Sequence, residues 1–277
     1  GNDYFEKQYS VEEYVKKIIE LTKSKGDDFL FELSSKVDGE KFDNLRISSK
    51  ELKKSIDKIS KEERILIENT IDRIEAFQKK TLIKNWFDEK SGYGEYVKPV
   101  DSVGCYIPGG TAPLISTVLM TVIPAKVAGV KNISISSPTI GSNLPNNMLL
   151  AAAYLCGVEK FYTYGGPQAI ASLAFGTKNV SKVDMICGPG NIFVMTAKKL
   201  VYGEVGVDGI FGPTETLIIA DSSSNIDYVV GDLMAQAEHD VLALPMMITD
   251  DLEFANKVIS FYKNKLEKME RKNIIEK

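Results

Sequence analysis

The 277-residue sequence predicts an α/β protein in which helices cover parallel strands. Residues 1–100 carry 41 of the 72 charged side chains, and their apolar residues recur at helical spacing. From residue 101 onward, short β-prone runs alternate with helical stretches, which is the pattern of βαβ units. The first four β-prone runs end in glycine or proline, and residues 101–220 hold 15 of the 21 glycines. We therefore expect leading helices followed by a parallel sheet.

The first segment is predicted to form amphipathic helices. Ser10 and Glu13 stand at the spacing of a capping box, and apolar residues follow at helical intervals. The stretches 48–60 and 61–80 each continue with one apolar stripe and one charged face. Mixed charge of this kind is typical of a solvated helix surface, so we assign it no function.

The segment from residue 101 supplies the predicted sheet. An open parallel sheet binds ligands in the crevice beyond the carboxyl ends of its strands, and the glycine-rich strand exits fall there. The sequence therefore predicts a small-molecule site at that edge. The strand-like runs, separated by helical stretches, are 102–108, 132–138, 160–166, 183–190, 214–221 and 244–250.

Composition argues against several classes of partner. The net charge of −4, the pI near 5.3 and the lack of a basic patch give no reason to expect nucleic acid. The longest apolar runs, such as 148–158, are too short to span a bilayer, and no signal-peptide pattern opens the chain. Cys105, Cys156 and Cys187 form no CxxC pair, so reduced thiols and a cytoplasmic location are expected.

Two glycine-rich turns, 106–113 and 187–193, are candidates for ligand contact. Glycine lets backbone amides approach a ligand closely, and the helix that follows favours phosphate. Neither turn is a GxGxxG fingerprint or a Walker loop, and both could equally be tight turns without a ligand. Gln168 stands at a predicted helix start near the same edge, where a helix cap is the alternative interpretation.

His239 is the only histidine in the sequence. It shares one helix face with Asp232 and Gln236, at positions i, i+4 and i+7. Gln236 and His239 could place an oxygen and a nitrogen on the same metal ion, although zinc needs three or four such ligands. The alternative is an exposed polar helix end.

Five ordered motifs between residues 98 and 250 resemble those of the histidinol dehydrogenases. In chain order they are "KPVDSVGCYIPGGTAPLISTVLMTVIPAKVAGVKNISISSP", "GGPQAIASLAFGT", "GPGNIFVMTAKK", "GIFGPTETLIIAD" and "DLMAQAEHD". Residues 1–97 fit the family's leading region more loosely. The resemblance implies two incomplete Rossmann-like domains with parallel sheets, one inserted in the other. The resemblance also implies an intertwined homodimer. The change in charge and glycine content near residue 100, reversed after "GPTE", predicts the domain boundaries: residues 1–105 together with 215–277 would form the first domain, and residues 106–214 the inserted, NAD-binding-like domain.

The resemblance also implies a chemistry. Enzymes of this family contain zinc and use two NAD to oxidise L-histidinol to L-histidine through the aldehyde, the last step of histidine biosynthesis. By their positions in the motifs, Tyr106, Gln168 and Asn191 resemble the residues that hold NAD. Gln236 and His239 resemble two zinc ligands that also lie beside the substrate. Thr214 stands where the family usually has a serine that contacts substrate, and it keeps the hydroxyl.

The same resemblance places the family's catalytic pair outside this chain. In the family, a Glu-His pair and two further zinc ligands, an Asp and a His, lie in a later segment that would fall beyond Lys277. We therefore expect no catalytic residue in this chain, an incomplete zinc site and impaired activity. The alternative is a non-catalytic shortened relative that binds a small ligand or a nucleotide. A thiol mechanism, as in aldehyde dehydrogenases, would need Cys187, which has no basic sequence neighbour to lower its pKa.

Overall fold

The chain divides into two compact units, Gly1–Ile210 and Phe211–Lys277. The computed structural model describes residues 9–38, 45–109, 114–139, 145–212, 214–239 and 243–267. Of these, His239 is described by its backbone alone.

Helices dominate the first hundred residues, as predicted. The capping box at Ser10 and Glu13 is confirmed, because the Ser10 hydroxyl accepts from the Glu13 amide at 3.3 Å and the Glu13 carboxylate accepts from the Ser10 amide at 3.0 Å. In chain order the elements are α1 (Val11–Lys25), α2 (Asp27–Asp38), β1 (Arg46–Ile47), α3 (Ser49–Lys54), a 3-10 turn (Ser55–Lys58), α4 (Lys61–Thr81) and the hairpin strands β2 (Trp86–Asp88) and β3 (Tyr93–Glu95).

Strands and helices then alternate as the sequence predicts. The elements are β4 (Ser102–Tyr106), α5 (Ile115–Ala128), β5 (Asn132–Ser136), α6 (Asn147–Leu155), β6 (Lys160–Tyr162), α7 (Gly166–Phe175), β7 (Met185–Cys187), α8 (Ile192–Val201) and β8 (Gly206–Val207). The five strands β4 to β8 and the earlier strand β1 form one six-stranded sheet of order β1-β6-β5-β4-β7-β8. Every neighbouring pair is parallel except β1 with β6, so the predicted parallel sheet is confirmed with one antiparallel edge strand.

Apolar cores cover both faces of this sheet, as a parallel sheet requires. On central strand β4, Val103 and Cys105 face the core formed with α5 and α6. Gly104 and Tyr106 face the opposite core, where a Cβ on Gly104 would lie 2.9 Å from Leu173 of α7. Side chains alternate across a strand, so Tyr106 leaves the sheet on the side covered by α1, α7 and α8.

The second unit is a smaller α/β layer. Its elements are β9 (Glu215–Ile219), α9 (Ile226–His239), β10 (Leu244–Ile248) and α10 (Leu252–Leu266). The two strands pair in parallel, and Val230, Met234, Phe254 and Val258 of the two helices pack together in its core. In the part of the chain that the structure describes, no helix is long and apolar enough to span a membrane.

The predicted domain boundary after residue 105 falls within strand β4. A boundary after residue 105 would cut β4, which pairs with β5 on one side and β7 on the other. The change in charge and glycine content near residue 100 marks the passage from solvated helices to buried strands. The other boundary, after residue 214, lies four residues beyond the division at Ile210. A domain shared by residues 1–105 and 215–277 stays a prediction.

Candidate functional site

The three residues predicted to hold NAD lie at one edge of the six-stranded sheet. Tyr106 is the last residue of β4, Gln168 lies in the first turn of α7, and Asn191 immediately precedes α8. Because α7 follows β6 and α8 follows β7, all three positions are at the carboxyl ends of strands. They therefore share the edge at which open parallel sheets bind ligands. Their contact with NAD stays a prediction.

Tyr106 joins two of the loops at this edge. Its phenol oxygen accepts a hydrogen bond from the Gly166 amide at 3.1 Å, which connects the end of β4 to the start of α7. Gly166 has φ +71, and a Cβ there would lie 2.6 Å from Oε1 of Gln168, so the glutamine side chain folds back over the helix start. Tyr106 and Gln168 are 4% and 5% exposed. Both side chains are therefore held in place by their surroundings before any ligand binds.

Asn191 is the N-cap of α8. Its Oδ1 accepts hydrogen bonds from the amides of Phe193 and Val194, each at 3.1 Å. Two of the amides that a helix start offers to an anion are therefore already bonded. The side chain is exposed, and its Nδ2 group is the part that can donate to a ligand. This geometry favours contact through the asparagine amide over a phosphate cradle made by the helix end.

An ion pair between Lys198 and Asp208 holds the turn between β7 and α8 in place. Lys198 of α8 has no exposed surface, and its Nζ donates to the carbonyl of Gly188 at 2.9 Å and to Asp208. Asp208 in turn accepts from the Gly188 amide at 2.8 Å. Gly188 has φ +117, and a Cβ there would lie 2.1 Å from the Tyr106 carbonyl oxygen. Only glycine fits this position.

Neither Lys198 nor Asp208 is among the residues predicted from the sequence. A signal does exist, because Lys198 shares a helix face with Val194 and Val201 at spacings of four and three. All three side chains are fully buried. A lysine inside an apolar helix stripe predicts a buried charge that needs a partner. The sequence does not show which residue supplies that partner.

The three cysteines are protected thiols. Burial raises the pKa of Cys105 to about 12 and that of Cys156 to about 11. Burial, followed by the nearby Asp208 carboxylate, raises the pKa of Cys187 to about 11. Thiols with such pKa values stay protonated near neutral pH, and the thiolate is the nucleophilic form. Cys187 therefore does not suit the thiol mechanism of an aldehyde dehydrogenase.

The residues predicted to contact zinc and substrate lie in the second unit. Thr214 is exposed and directly precedes β9. Gln236 is in α9, where its Oε1 accepts from the Thr216 hydroxyl at 2.9 Å. His239 is the last residue of α9, and its side chain lies outside the described part of the structure.

The Gln236 amide fits the role of a metal ligand. Its Nε2 is buried and has no hydrogen-bond partner among the described residues. The two ends of an amide are exchangeable by a half-turn, after which Nε2 donates to Thr216 and Oε1 takes the unpartnered place. An oxygen in that place is able to bind a cation. Within the described residues, no group of three or more His, Cys, Asp or Glu side chains could hold a metal ion, so the set that includes Gln236 is incomplete there.

Nearly the whole chain is similar to histidinol dehydrogenases, both in a family model and in individual relatives. The family model described as histidinol dehydrogenase matches residues 3–277. A histidinol dehydrogenase of Streptococcus mutans is 45% identical over 267 residues, covering 95% of this chain and 62% of the relative. One of Aquifex aeolicus is 43% identical over 279 residues, covering 99% of this chain and 64% of the relative.

A solved structure agrees with these relatives. The crystal structure of histidinol dehydrogenase from Elizabethkingia anophelis superposes with a TM-score of 0.92 at 34% sequence identity. The match covers 98% of this chain and 64% of that protein. The chain therefore spans slightly less than two thirds of the length of the relatives that it matches.

Proposed function

Because the chain belongs to the histidinol dehydrogenase family, we propose that it supplies the NAD-binding edge and part of the zinc site of an enzyme that oxidises L-histidinol to L-histidine. The observation that carries this proposal is the gathering of Tyr106, Gln168 and Asn191 at the carboxyl edge of the sheet. These are the residues that the family motifs assign to NAD, and they come from three separate strand exits.

The reaction consists of two oxidations. In the first, a hydride leaves the alcohol carbon for NAD and the hydroxyl proton is released, which gives the aldehyde. Water then adds, and a second hydride passes to a second NAD with release of a proton, which gives the carboxylic acid. Each transfer needs the nicotinamide to be held against the reacting carbon. The buried side chains of Tyr106 and Gln168 suit this holding role, because the hydrogen bond to Gly166 fixes Tyr106 before any ligand arrives.

Gln236 and His239 are the residues that would hold zinc. When bound, zinc orients the substrate and polarises the oxygen of its alcohol group. The Nε2 atom of Gln236 is buried and has no hydrogen-bond partner among the described residues, which supports a ligand role for this side chain, and Thr216 bonds the other end of the amide. Thr214 offers an exposed hydroxyl in the position where the family motif has a substrate-contacting serine.

No residue of this chain is assigned to proton transfer. The buried thiols stay protonated near neutral pH, and the sequence's one histidine is proposed as a metal ligand. We therefore expect this chain alone to form little NADH from L-histidinol. A homodimer, implied by the family resemblance, and a cytoplasmic location, expected from the cysteine pattern, stay predictions.

Asn191→Asp tests the NAD site. The substitution keeps an oxygen that caps α8 equally well, but it replaces the Nδ2 donor with a second, negatively charged oxygen. We expect unchanged thermal stability and NAD affinity that is lower by about tenfold, equivalent to one lost polar contact of about 1.4 kcal/mol. Calorimetric titration measures the NAD affinity of the wild type and of Asn191→Asp.

Ser60→Asp, a matched cap exchange at the start of α4, is the control and should bind NAD like the wild type. Equal NAD affinity in wild type and Asn191→Asp would reject the assignment of Asn191. NAD binding without NADH formation, even when zinc and the part of a full-length family member that lies beyond the match are supplied, would favour the shortened, non-catalytic relative.

A further inference from the structure

We propose that Lys198 and Asp208 are positioning residues for the dinucleotide, which act by fixing the Gly188 turn that carries Asn191. The proposal rests on the proposed NAD site. It concerns two residues to which the family motifs assign no contact with substrate or cofactor.

The ion pair forms hydrogen bonds with both backbone polar groups of Gly188. Lys198 Nζ donates to the Gly188 carbonyl at 2.9 Å, and Asp208 Oδ2 accepts from the Gly188 amide at 2.8 Å. The two side chains also bond each other, so the three residues close a ring of interactions. Gly188 therefore has its orientation set by side chains of α8 and of the segment after β8.

A structural purpose alone does not favour a lysine at this position. Val194 and Val201, on the same face of α8, are also fully buried, so an apolar side chain would suit the core. Burying a charge is costly, and replacing a buried ion pair with apolar residues is often neutral or stabilising. What the pair adds is a fixed geometry for the turn.

Two of the proposed cofactor residues depend on that geometry. Gly188 lies against Tyr106, where an added Cβ would come within 2.1 Å of the Tyr106 carbonyl oxygen and 3.2 Å of its nitrogen. Asn191 follows three residues later and caps α8 through two amide hydrogen bonds. A displacement of Gly188 would thus reach Tyr106 by direct contact and Asn191 through the chain. We infer that losing the pair separates these residues from the NAD-competent arrangement.

The test compares Lys198→Met/Asp208→Asn with Lys199→Met. The double variant removes both charges together, so neither is left unpaired, and methionine fills the volume of the lysine stem. Lys199 is the exposed neighbour on the same helix and serves as the matched control. NAD affinity is measured by calorimetry, stability by thermal unfolding, and the turn itself by hydrogen exchange of the Gly188 amide.

We expect the double variant to stay folded and to exchange the Gly188 amide hydrogen faster than the wild type. We also expect it to bind NAD at least about tenfold more weakly, which is the size of effect seen when outer-shell hydrogen-bond partners are removed from metal sites. Lys199→Met should match the wild type in all three measurements. If the double variant does not fold, Asp208→Asn alone carries the test. Its single amide oxygen must serve both Gly188 and Lys198, so faster exchange and a smaller loss of affinity are expected.

Two results would overturn the inference, and they are distinguishable. A folded variant that binds NAD as the wild type does would refute the positioning role and leave the proposed function standing. A wild-type chain that binds no NAD at all would refute the proposed cofactor site, and the positioning role with it.

Discussion

Gly188→Ala tests how tightly the turn between β7 and α8 is constrained. At φ +117 an L-side chain is strained, which costs about 1–3 kcal/mol. The added Cβ would also lie 2.1 Å from the Tyr106 carbonyl oxygen and 3.0 Å from its carbon. These are backbone atoms of a central strand that cannot rotate away, so overpacking adds about 1–3 kcal/mol. We expect a total loss of about 2–6 kcal/mol.

Gly203→Ala separates the two contributions. Gly203 has φ +99, but nothing lies within 4 Å of a Cβ built there, so this variant carries the backbone strain without the collision. Urea unfolding followed by far-ultraviolet circular dichroism gives the free energy of unfolding of each variant. Gly188→Ala should be less stable than Gly203→Ala by about 1–3 kcal/mol. A difference within the error of the extrapolation would refute the close packing of the turn on β4.

Two further predictions concern Gln236 and the buried thiols. Thr216→Val should lower the free energy of unfolding by about 1–3 kcal/mol, because it leaves both ends of the Gln236 amide unbonded, whereas Thr216→Ser, which keeps the hydroxyl, should restore it. Urea titration of the three proteins checks this, and equal stability of the valine and serine variants would contradict it. Burial raises the Cys187 pKa from 9.0 to about 11, so the thiol stabilises the fold fully below pH 9 and loses that contribution as pH rises through about 11. Urea midpoints measured between pH 8 and 11 should therefore fall more steeply for the wild type than for Cys187→Ala, and parallel curves would exclude this linkage.

The sequence predicts the fold where local pattern decides it. Helical spacing and the Ser10–Glu13 capping box locate α1, and strand-like runs ending in or next to glycine or proline locate β4 to β7. The order of elements also predicts that Tyr106, Gln168 and Asn191 share one edge, because parallel strands end on the same side. The change in composition near residue 100, on which the predicted boundary after residue 105 rests, records the burial of the strands that follow, and that boundary falls within β4.

Tertiary contacts supply what the sequence leaves out. Lys198 is visible as a lysine in an apolar stripe, but its partner Asp208 lies ten residues away, in a segment without a motif of its own. The sequence also does not predict that Asn191 caps α8, because a Gly-Asn turn before a helix fits a ligand contact and a helix cap equally well. In the structure the asparagine oxygen caps α8, which leaves the amide nitrogen as the donor to a ligand.

NAD is proposed to bind at the carboxyl edge of the six-stranded sheet. The opposite, amino edge has a competing cavity of about 220 Å³, lined in part by Lys126, Lys160 and Lys182, whose charges could attract a pyrophosphate. Amide chemical shifts recorded during NAD titration distinguish the two edges. We predict the largest shifts at Gly166, Gln168 and Asn191. Shifts confined to the residues around the lysine-lined cavity would show that NAD binds at the amino edge instead.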